Sequence, residues 1–124
     1  MAITKTSTKI IDNKSAAADD STSLSDCVSV DLTTAIQMAI DVEMIFNASA
    51  TYGAMVEVYA SDDDTNWDTN PFEQFPVAVT PGATIREHFV MIPAPKYIRV
   101  KVVNLDPTYS ITAINVYSIP QVVS

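Results

Sequence analysis

Residues 35–46, "AIQMAIDVEMIF", alternate apolar side chains with polar or small ones. The apolar side chains are those of Ile36, Met38, Ile40, Val42, Met44 and Phe46. In a helix, a turn of about 100° per residue would place Ile36 and Met38 on nearly opposite sides. In a strand, the whole set lies on one face. The run therefore predicts a β-strand with one buried and one solvated face.

Shorter runs of the same alternation follow along the chain, at residues 27–32, 54–60, 84–92, 96–103 and 110–119. The segments between them carry turn residues, such as Pro81 and Gly82, which suit the two central positions of a type II turn. No segment predicts a helix, and the sequence has no internal repeat. About seven or eight short strands separated by turns predict an all-β fold, an antiparallel β-sandwich of jelly-roll-like type.

Residues 1–23 differ from the rest of the chain because they are polar and rich in Ser, Thr, Ala, Lys and Asp. They predict an extended N-terminal arm, in which only "TKII", residues 8–11, suggests a short strand, and residues 24–124 predict the β-sandwich domain. An arm of this composition is rarely ordered alone. We therefore expect a neighbouring subunit to hold it.

The chain has 124 residues and a formal net charge of −8, and no Lys or Arg lies between Ser15 and Ile85. Its length suits one domain that buries its own core. The acidic balance argues against nucleic acid, because phosphates need a basic patch. No apolar run approaches membrane-spanning length, and residues 1–23 contain no apolar stretch typical of a signal peptide. We therefore expect neither a nucleic-acid nor a membrane partner, and synthesis in the cytoplasm.

The segment "SDDDTNWDT", residues 61–69, has two interpretations. As a calcium loop, it would offer oxygens at alternate positions, from Asp62, Asp64, Asn66 and Asp68. That interpretation lacks the turn glycine, the closing glutamate and the flanking helices of an EF-hand. As a hairpin turn, Asp and Asn bond their own backbone and tolerate left-handed conformations, and Trp67 begins the returning strand. We favour the hairpin and predict no metal site.

Residues with catalytic chemistry are sparse in this chain. Cys27 and His88 are the only cysteine and the only histidine, so neither has a second copy with which to build a metal site. We expect Cys27 to be a small core residue and His88 to lie at the surface or at an interface. Gly53 and Gly82 are the only glycines and form no glycine-rich phosphate loop. The sequence thus predicts no catalytic residue, no cofactor and no enzymatic activity.

Two stretches carry a resemblance to a known family. "YASDDDTNW", residues 59–67, resembles the Ser-x-Asp-Gly-x-x-Trp hairpin of discoidin-type and related galactose-binding-like β-sandwiches, with Asp64 in place of the glycine. "PKYIRVKV", residues 95–102, resembles the strand that follows in those modules. The resemblance spans roughly Asp31 to Ile119. It implies a carbohydrate-binding module of a phage tail or adhesin, with Trp67 and Tyr97 at the site.

The same layout is similar to small structural proteins of tailed-bacteriophage particles, including head decoration (cement) and tail proteins. This resemblance implies a non-enzymatic virion protein, made in the cytoplasm of a bacterial host. It implies a homo-oligomer, often a trimer, that stabilises the head by contacts with the major capsid protein or other virion proteins. We take the capsid decoration protein as the main hypothesis and the carbohydrate-binding module as the alternative. The residues predicted to make contacts, with an arm strand added to a neighbour's sheet, are Ile3, Lys5, Lys9, Ile10, Trp67 and Tyr97.

Overall fold

The computed structural model describes residues 2–123, which form nine β-strands and one short 3₁₀ turn, Leu24–Asp26. The strands are β1 (Ile3–Lys5), β2 (Thr8–Ala16), β3 (Val30–Asp31), β4 (Ala35–Phe46), β5 (Ala54–Ser61), β6 (Glu73–Val77), β7 (Thr84–Met91), β8 (Tyr97–Asn104) and β9 (Ile111–Val123). All pairings between these strands are antiparallel. The all-β class predicted from the alternation is confirmed.

The strands form two sheets that pack face to face. Sheet A has the order β1–β9–β4–β7, with β2 also paired to β9, and sheet B has the order β3–β8–β5–β6. Strand pairs nest from the outside inwards: β2 with β9, β3 with β8, β4 with β7, and β5 with β6. This is a long hairpin rolled on itself, the winding of a jelly roll. The innermost connection, between β5 and β6, contains the acidic segment 61–69.

The core consists of the inward-facing residues of both sheets. On β4 the side chains of Met38, Ile40, Val42, Met44 and Phe46 are all buried, as the alternation predicts. Ile36 was expected on the same face, but it is 53% exposed. The reason is a β-bulge: the register of β4 against β9 shifts between Ala35 and Gln37, so Ile36 falls outside the regular ladder.

Residues 2–23 do not extend away from the sandwich. Strands β1 and β2 pair along β9, and Ile11 is fully buried together with its neighbour Ile10. Beyond β2, the Asp19 and Thr22 N–H groups donate to carbonyls of β8 and of the turn after it. The apolar surface that this segment buries keeps it on its own chain, without the neighbouring subunit that its polar composition led us to expect.

Two buried polar residues fasten the loops at one end of the roll. The Asn104 side-chain amide donates to three backbone carbonyls, those of Ala16, Ala17 and Tyr109. The Asp106 carboxylate accepts backbone N–H groups from two loops, those of Thr51, Tyr52, Thr108 and Tyr109. These hydrogen bonds stabilise the charged carboxylate and hold the pKa of Asp106 at about 2. The bond from the Thr51 N–H has the largest effect. The "NLDPT" turn is therefore an internal anchor.

The turn and cysteine predictions are also confirmed. Gly82 has φ +72°, the left-handed value that the third position of a type II turn requires, and the Ala83 N–H donates to the Thr80 carbonyl across that turn. Cys27 is buried, and its Sγ accepts the Val100 N–H at 3.2 Å. Burial raises the pKa of its thiol to about 11. The thiol is therefore a packing group, held in its reduced and protonated form.

Candidate assembly surface

The sheet edges differ in how well they are protected against pairing with another strand. On the β2 edge of sheet A the register against β9 shifts three times, Asn13 takes a left-handed φ of 48°, and Lys9 and Lys14 are exposed. On sheet B, β3 has only two residues and β6 carries Pro76. Bulges, lysines, prolines and short length are the usual devices that prevent edge-to-edge association.

Strand β7 has no bulge, lysine or proline along its eight residues, and its charged or ionisable side chains are Arg86, Glu87 and His88. Its register against β4 runs without a shift from Thr84 to Met91, and it contains no proline. Antiparallel pairing to β4 alone leaves every second backbone N–H and C=O directed away from the sheet. Val90 is 65% exposed, and Ile92, directly after the strand, is 74% exposed. Among the edges formed by residues 2–123, β7 is the long and regular one, with an exposed apolar end at Val90 and Ile92.

The core is also least covered along the side where β6 and β7 lie. The half-buried apolar residues that pack against the core include Phe75, Val79, Ile85 and Phe89, which all come from β6, β7 and their connection. The rings of Phe75 and Phe89 stack across the gap between the two sheets. We call these four residues, together with Val90 and Ile92, the β6–β7 seam. A second protein surface placed there would bury apolar side chains that this chain leaves partly in water.

An ion pair and a His–Asp contact on the outer face of sheet A link β7 to β4. Arg86 Nε donates to Glu43 Oε2 at 2.7 Å, and His88 Nε2 lies 3.6 Å from Asp41 Oδ2. Both basic side chains are mostly exposed, whereas both acidic ones are largely covered. His88 therefore lies at the surface of the edge strand, as predicted. The two pairs keep the outer face of the edge polar at its centre and apolar at Val90.

The structure separates the four predicted contact residues of the arm. Ile3 and Lys5 lie exposed on β1, and Ile3 is 57% exposed. Lys9 lies over the ring of Tyr117 at 5.6 Å and pairs with Asp12 at 3.4 Å, which raises its pKa. Ile10 is only 3% exposed. The prediction that Ile10 contacts a partner is wrong for this conformation, because its side chain belongs to the core.

The acidic segment is the tip of the β5–β6 hairpin, as predicted, and its acids bond the turn. The Asp63 carboxylate accepts the N–H groups of Thr65 and Asn66, and the bond from Asn66 lowers its pKa most. Asp64 has φ +61°, the left-handed region that glycine favours, at the position where the resembled motif carries glycine. Its carboxylate also accepts the Ser29 hydroxyl. Asp63, which is not among the residues considered for calcium, is therefore the carboxylate that holds the turn.

Trp67 and Tyr97 flank Ser61 on the outer face of sheet B. Ser61 is paired with Trp67 on one side and with Tyr97 on the other. The Arg99 guanidinium lies over the Trp67 ring, 5.0 Å from its centroid. A second cation–aromatic contact lies beside it, with Lys101 Nζ 5.3 Å from the centroid of the Tyr59 ring. Cations stacked on aromatic rings stabilise this face of the sheet.

Other features bear on ligands and membranes. Residues 2–123 enclose no ligand-sized pocket. The same residues contain no cluster of three or more His, Cys, Asp or Glu side chains arranged to hold a metal ion. No helix in this part of the chain has the length and apolar character needed to cross a membrane.

Sequence reasoning identified β7 as a strand but included none of the seam residues among the predicted contact residues. The alternation in "TIREHFVMI" is the same for an edge strand and a central one. The available clue was the absence of Pro, Lys and Gly from this run, together with two apolar residues, Val90 and Ile92, on the face that also carries Arg86 and His88.

No protein-family model matches this chain. No curated protein matches it either. The resemblances to discoidin-type modules and to phage virion proteins therefore stay predictions. A solved structure of a Bacillus endospore appendage, described as one of a novel family of disulfide-linked pili, is similar at 10% sequence identity and a TM-score of 0.49. The match covers 99% of this chain and 90% of that one. A likeness of this degree assigns neither a family nor a function.

Proposed function

We propose that this protein is a non-enzymatic structural protein that works by assembling with other copies of itself. The observation that supports this most strongly is the β6–β7 seam, where a regular edge strand coincides with half-buried apolar side chains at the margin of the core. A rigid jelly roll with this one open side is suited to adding a neighbour at that side.

The energetics of the seam fit such a role. Burying Val90 and Ile92 against a partner contributes about 1–2 kcal/mol for each side chain, because both are mostly exposed in the isolated chain. Covering Ile85, Phe75 and Phe89 adds to this. Edge-strand pairing also satisfies backbone groups that water now solvates, at about 0.5–1.5 kcal/mol for each hydrogen bond. These terms together are of the size that a specific but reversible contact needs.

The finer proposal is that the assembly belongs to a tailed-bacteriophage particle, as a decoration protein on the capsid. The resemblance of "YASDDDTNW" and "PKYIRVKV" to phage structural proteins supports it. Synthesis would then take place in the cytoplasm of the bacterial host, and the protein would work on the virion. Contacts repeated by the symmetry of the capsid would give strong attachment from weak individual contacts. Ile3 and Lys5 on β1 remain exposed and available to the capsid.

Binding to purified, undecorated capsids tests the finer proposal. Removing residues 1–14 would take Ile10 and Ile11 from the core, so the informative deletion is confined to residues 1–5, which form β1 and the residues before it. This variant should keep its fold and lose occupancy on capsids. The matched control is Lys14→Ala, a change on the same edge outside the deletion. Full occupancy by the deletion variant would remove the arm from the proposal.

Carbohydrate binding is the second candidate, and it is favoured by the position of Trp67 and Tyr97 on one face of sheet B. Sugar rings stack on exposed aromatic faces, and Arg99 already occupies one face of Trp67. A glycan array tests this candidate with the native protein and Trp67→Ala. Binding that disappears in the variant supports it, and an array without any signal excludes it for the glycans displayed.

A further inference from the structure

We infer that two copies of this chain pair antiparallel through β7 about a two-fold axis, so that sheet A of one copy continues into sheet A of the other. The inference rests on the proposed function and specifies its interface. A two-fold contact is isologous and closes on itself, because each copy uses the same strand. It leaves no further β7 edge free, so this contact ends at a dimer and does not continue into a fibre.

The occupant of the edge is a second copy because β7 complements itself. Antiparallel pairing places residues that share a face opposite each other, so the outer face of sheet A continues only if even-numbered residues oppose even-numbered ones. The residues of β7 that belong to the outer face are Thr84, Arg86, His88 and Val90, and those of the inner face are Ile85, Glu87, Phe89 and Met91. Each copy therefore offers apolar residues to both layers of the joint sheet.

The charges on β7 select the register. With Glu87 on the axis, two carboxylates face each other, and with Arg86 on the axis, two guanidinium groups do so; both arrangements are unfavourable. With Phe89 on the axis, only residues 86–92 pair, which is two residues fewer than with His88 on the axis. With His88 on the axis, two imidazole rings face each other, and the pairing extends from Thr84 to Ile92.

In this register Val90 of one copy lies opposite Arg86 of the other. The aliphatic stem of Arg86 can then cover Val90 while its guanidinium stays on Glu43, to which Arg86 Nε already donates at 2.7 Å. On the inner face, Ile85 lies opposite Met91, and Glu87 lies opposite Phe89. The half-buried Phe89 and its partner Phe75 then lie beneath the joint sheet beside the Glu87 side chains, and less of the two rings is exposed to water.

Cysteine cross-linking in the full-length protein tests the register. Cys27 can stay in place, because it is buried and its raised pKa keeps the thiol protonated, so it forms disulfides slowly. We expect His88→Cys to form a disulfide-linked dimer under mild oxidation at least about tenfold faster than Arg86→Cys, because opposite Cβ atoms come within reach of a disulfide. Two Arg86 positions lie about 14 Å apart along the strands in this register. A mixture of Arg86→Cys and Val90→Cys should give the mixed dimer, which fixes both direction and register.

Sedimentation of the native chain separates the possible failures. Cross-linking of His88→Cys and of the Arg86→Cys and Val90→Cys mixture supports the inference. A native oligomer whose cysteine variants fold and do not cross-link overturns β7 pairing and leaves assembly through another surface standing. Self-linking of Arg86→Cys as fast as that of His88→Cys overturns the register. A native chain that is monomeric overturns both this inference and the proposed function.

Discussion

The ring of Phe75 on β6 stacks on the ring of Phe89 on β7, with centroids 4.7 Å apart and planes inclined by 18°. The two strands are edges of different sheets, so this contact joins the sheets along the side where β6 and β7 lie. Both rings remain half-buried. The pair therefore has two roles, to hold the sheets together in one copy and to present an apolar base for a partner.

Replacing Phe89 by Ala should lower the free energy of unfolding by about 2–3 kcal/mol. The change removes the stacked contact and part of a half-buried aromatic side chain, which costs less than a fully buried one. Urea denaturation followed by circular dichroism measures it. Phe72→Ala is the matched control. Phe72 is exposed, so its replacement should lower the free energy of unfolding by under about 0.5 kcal/mol. Equal effects of the two changes would show that the Phe75–Phe89 contact does not hold the sheets.

Asp106→Asn should destabilise the fold most at neutral pH. The pKa of Asp106 in the folded chain is about 2, below the value of about 3.9 for an unfolded aspartate, so its contribution is present above about pH 4 and lost as pH falls toward 2. The difference in urea midpoint between native chain and variant should stay constant from about pH 7 to 4 and narrow below that. Asp62→Asn, a change at an exposed tip residue, controls for net charge. A difference that does not vary down to about pH 2 would refute the anchoring role.

Trp67 and Arg99 should be coupled by about 0.5–1 kcal/mol, because the guanidinium lies over the ring at 5.0 Å on a partly exposed face. A double-mutant cycle with Trp67→Ala and Arg99→Ala measures the coupling. Because Trp67 is the only tryptophan, its fluorescence should also change in Arg99→Ala. Lys101→Ala, on the next rung, provides the control. Strictly additive effects of the two changes would mean that the stacking adds nothing to stability.

Self-association should strengthen with added salt. Each copy carries a formal net charge of −8, and the seam is apolar, so salt screens the repulsion between copies without weakening the contact. We expect the dissociation constant of the oligomer to fall several-fold between about 50 and 300 mM NaCl. Sedimentation equilibrium at a series of salt concentrations measures it. Weakening by salt would instead indicate an interface built on ion pairs.

The regular strands were predictable because each carries its own evidence in the side-chain period. On β4, β5 and β8 alternate side chains are buried in the positions that the sequence indicates. The N-terminal strand β2 was predictable only over residues 8–11, because Ile10 and Ile11 are neighbours and cannot both face inward in a regular strand. Both are buried because the register against β9 shifts between Lys9 and Ile11. A bulge removes the alternation from which the strand could have been recognised.

The candidate site was less predictable because it depends on strand order. Val90 and Ile92 have the same local pattern that Ile40 and Val42 have on β4, but β4 lies between two strands and β7 has only one neighbour. Only the nesting of strand pairs decides which strand becomes an edge. The hairpin tip, in contrast, was predictable, because Asp63 and Asp64 act on their own turn.

Sedimentation velocity of the native chain beside a Val90→Asp, Ile92→Asp double variant tests assembly through the seam most directly. Both replaced side chains are mostly exposed, so the variant should keep the native melting temperature while carrying two carboxylates onto the edge. We predict that the native chain, of 13.5 kDa, sediments as a dimer or a larger species at about 10–100 μM and that the variant sediments as a monomer. A native chain that stays monomeric over this range, or a folded variant that assembles as the native chain does, would contradict the account.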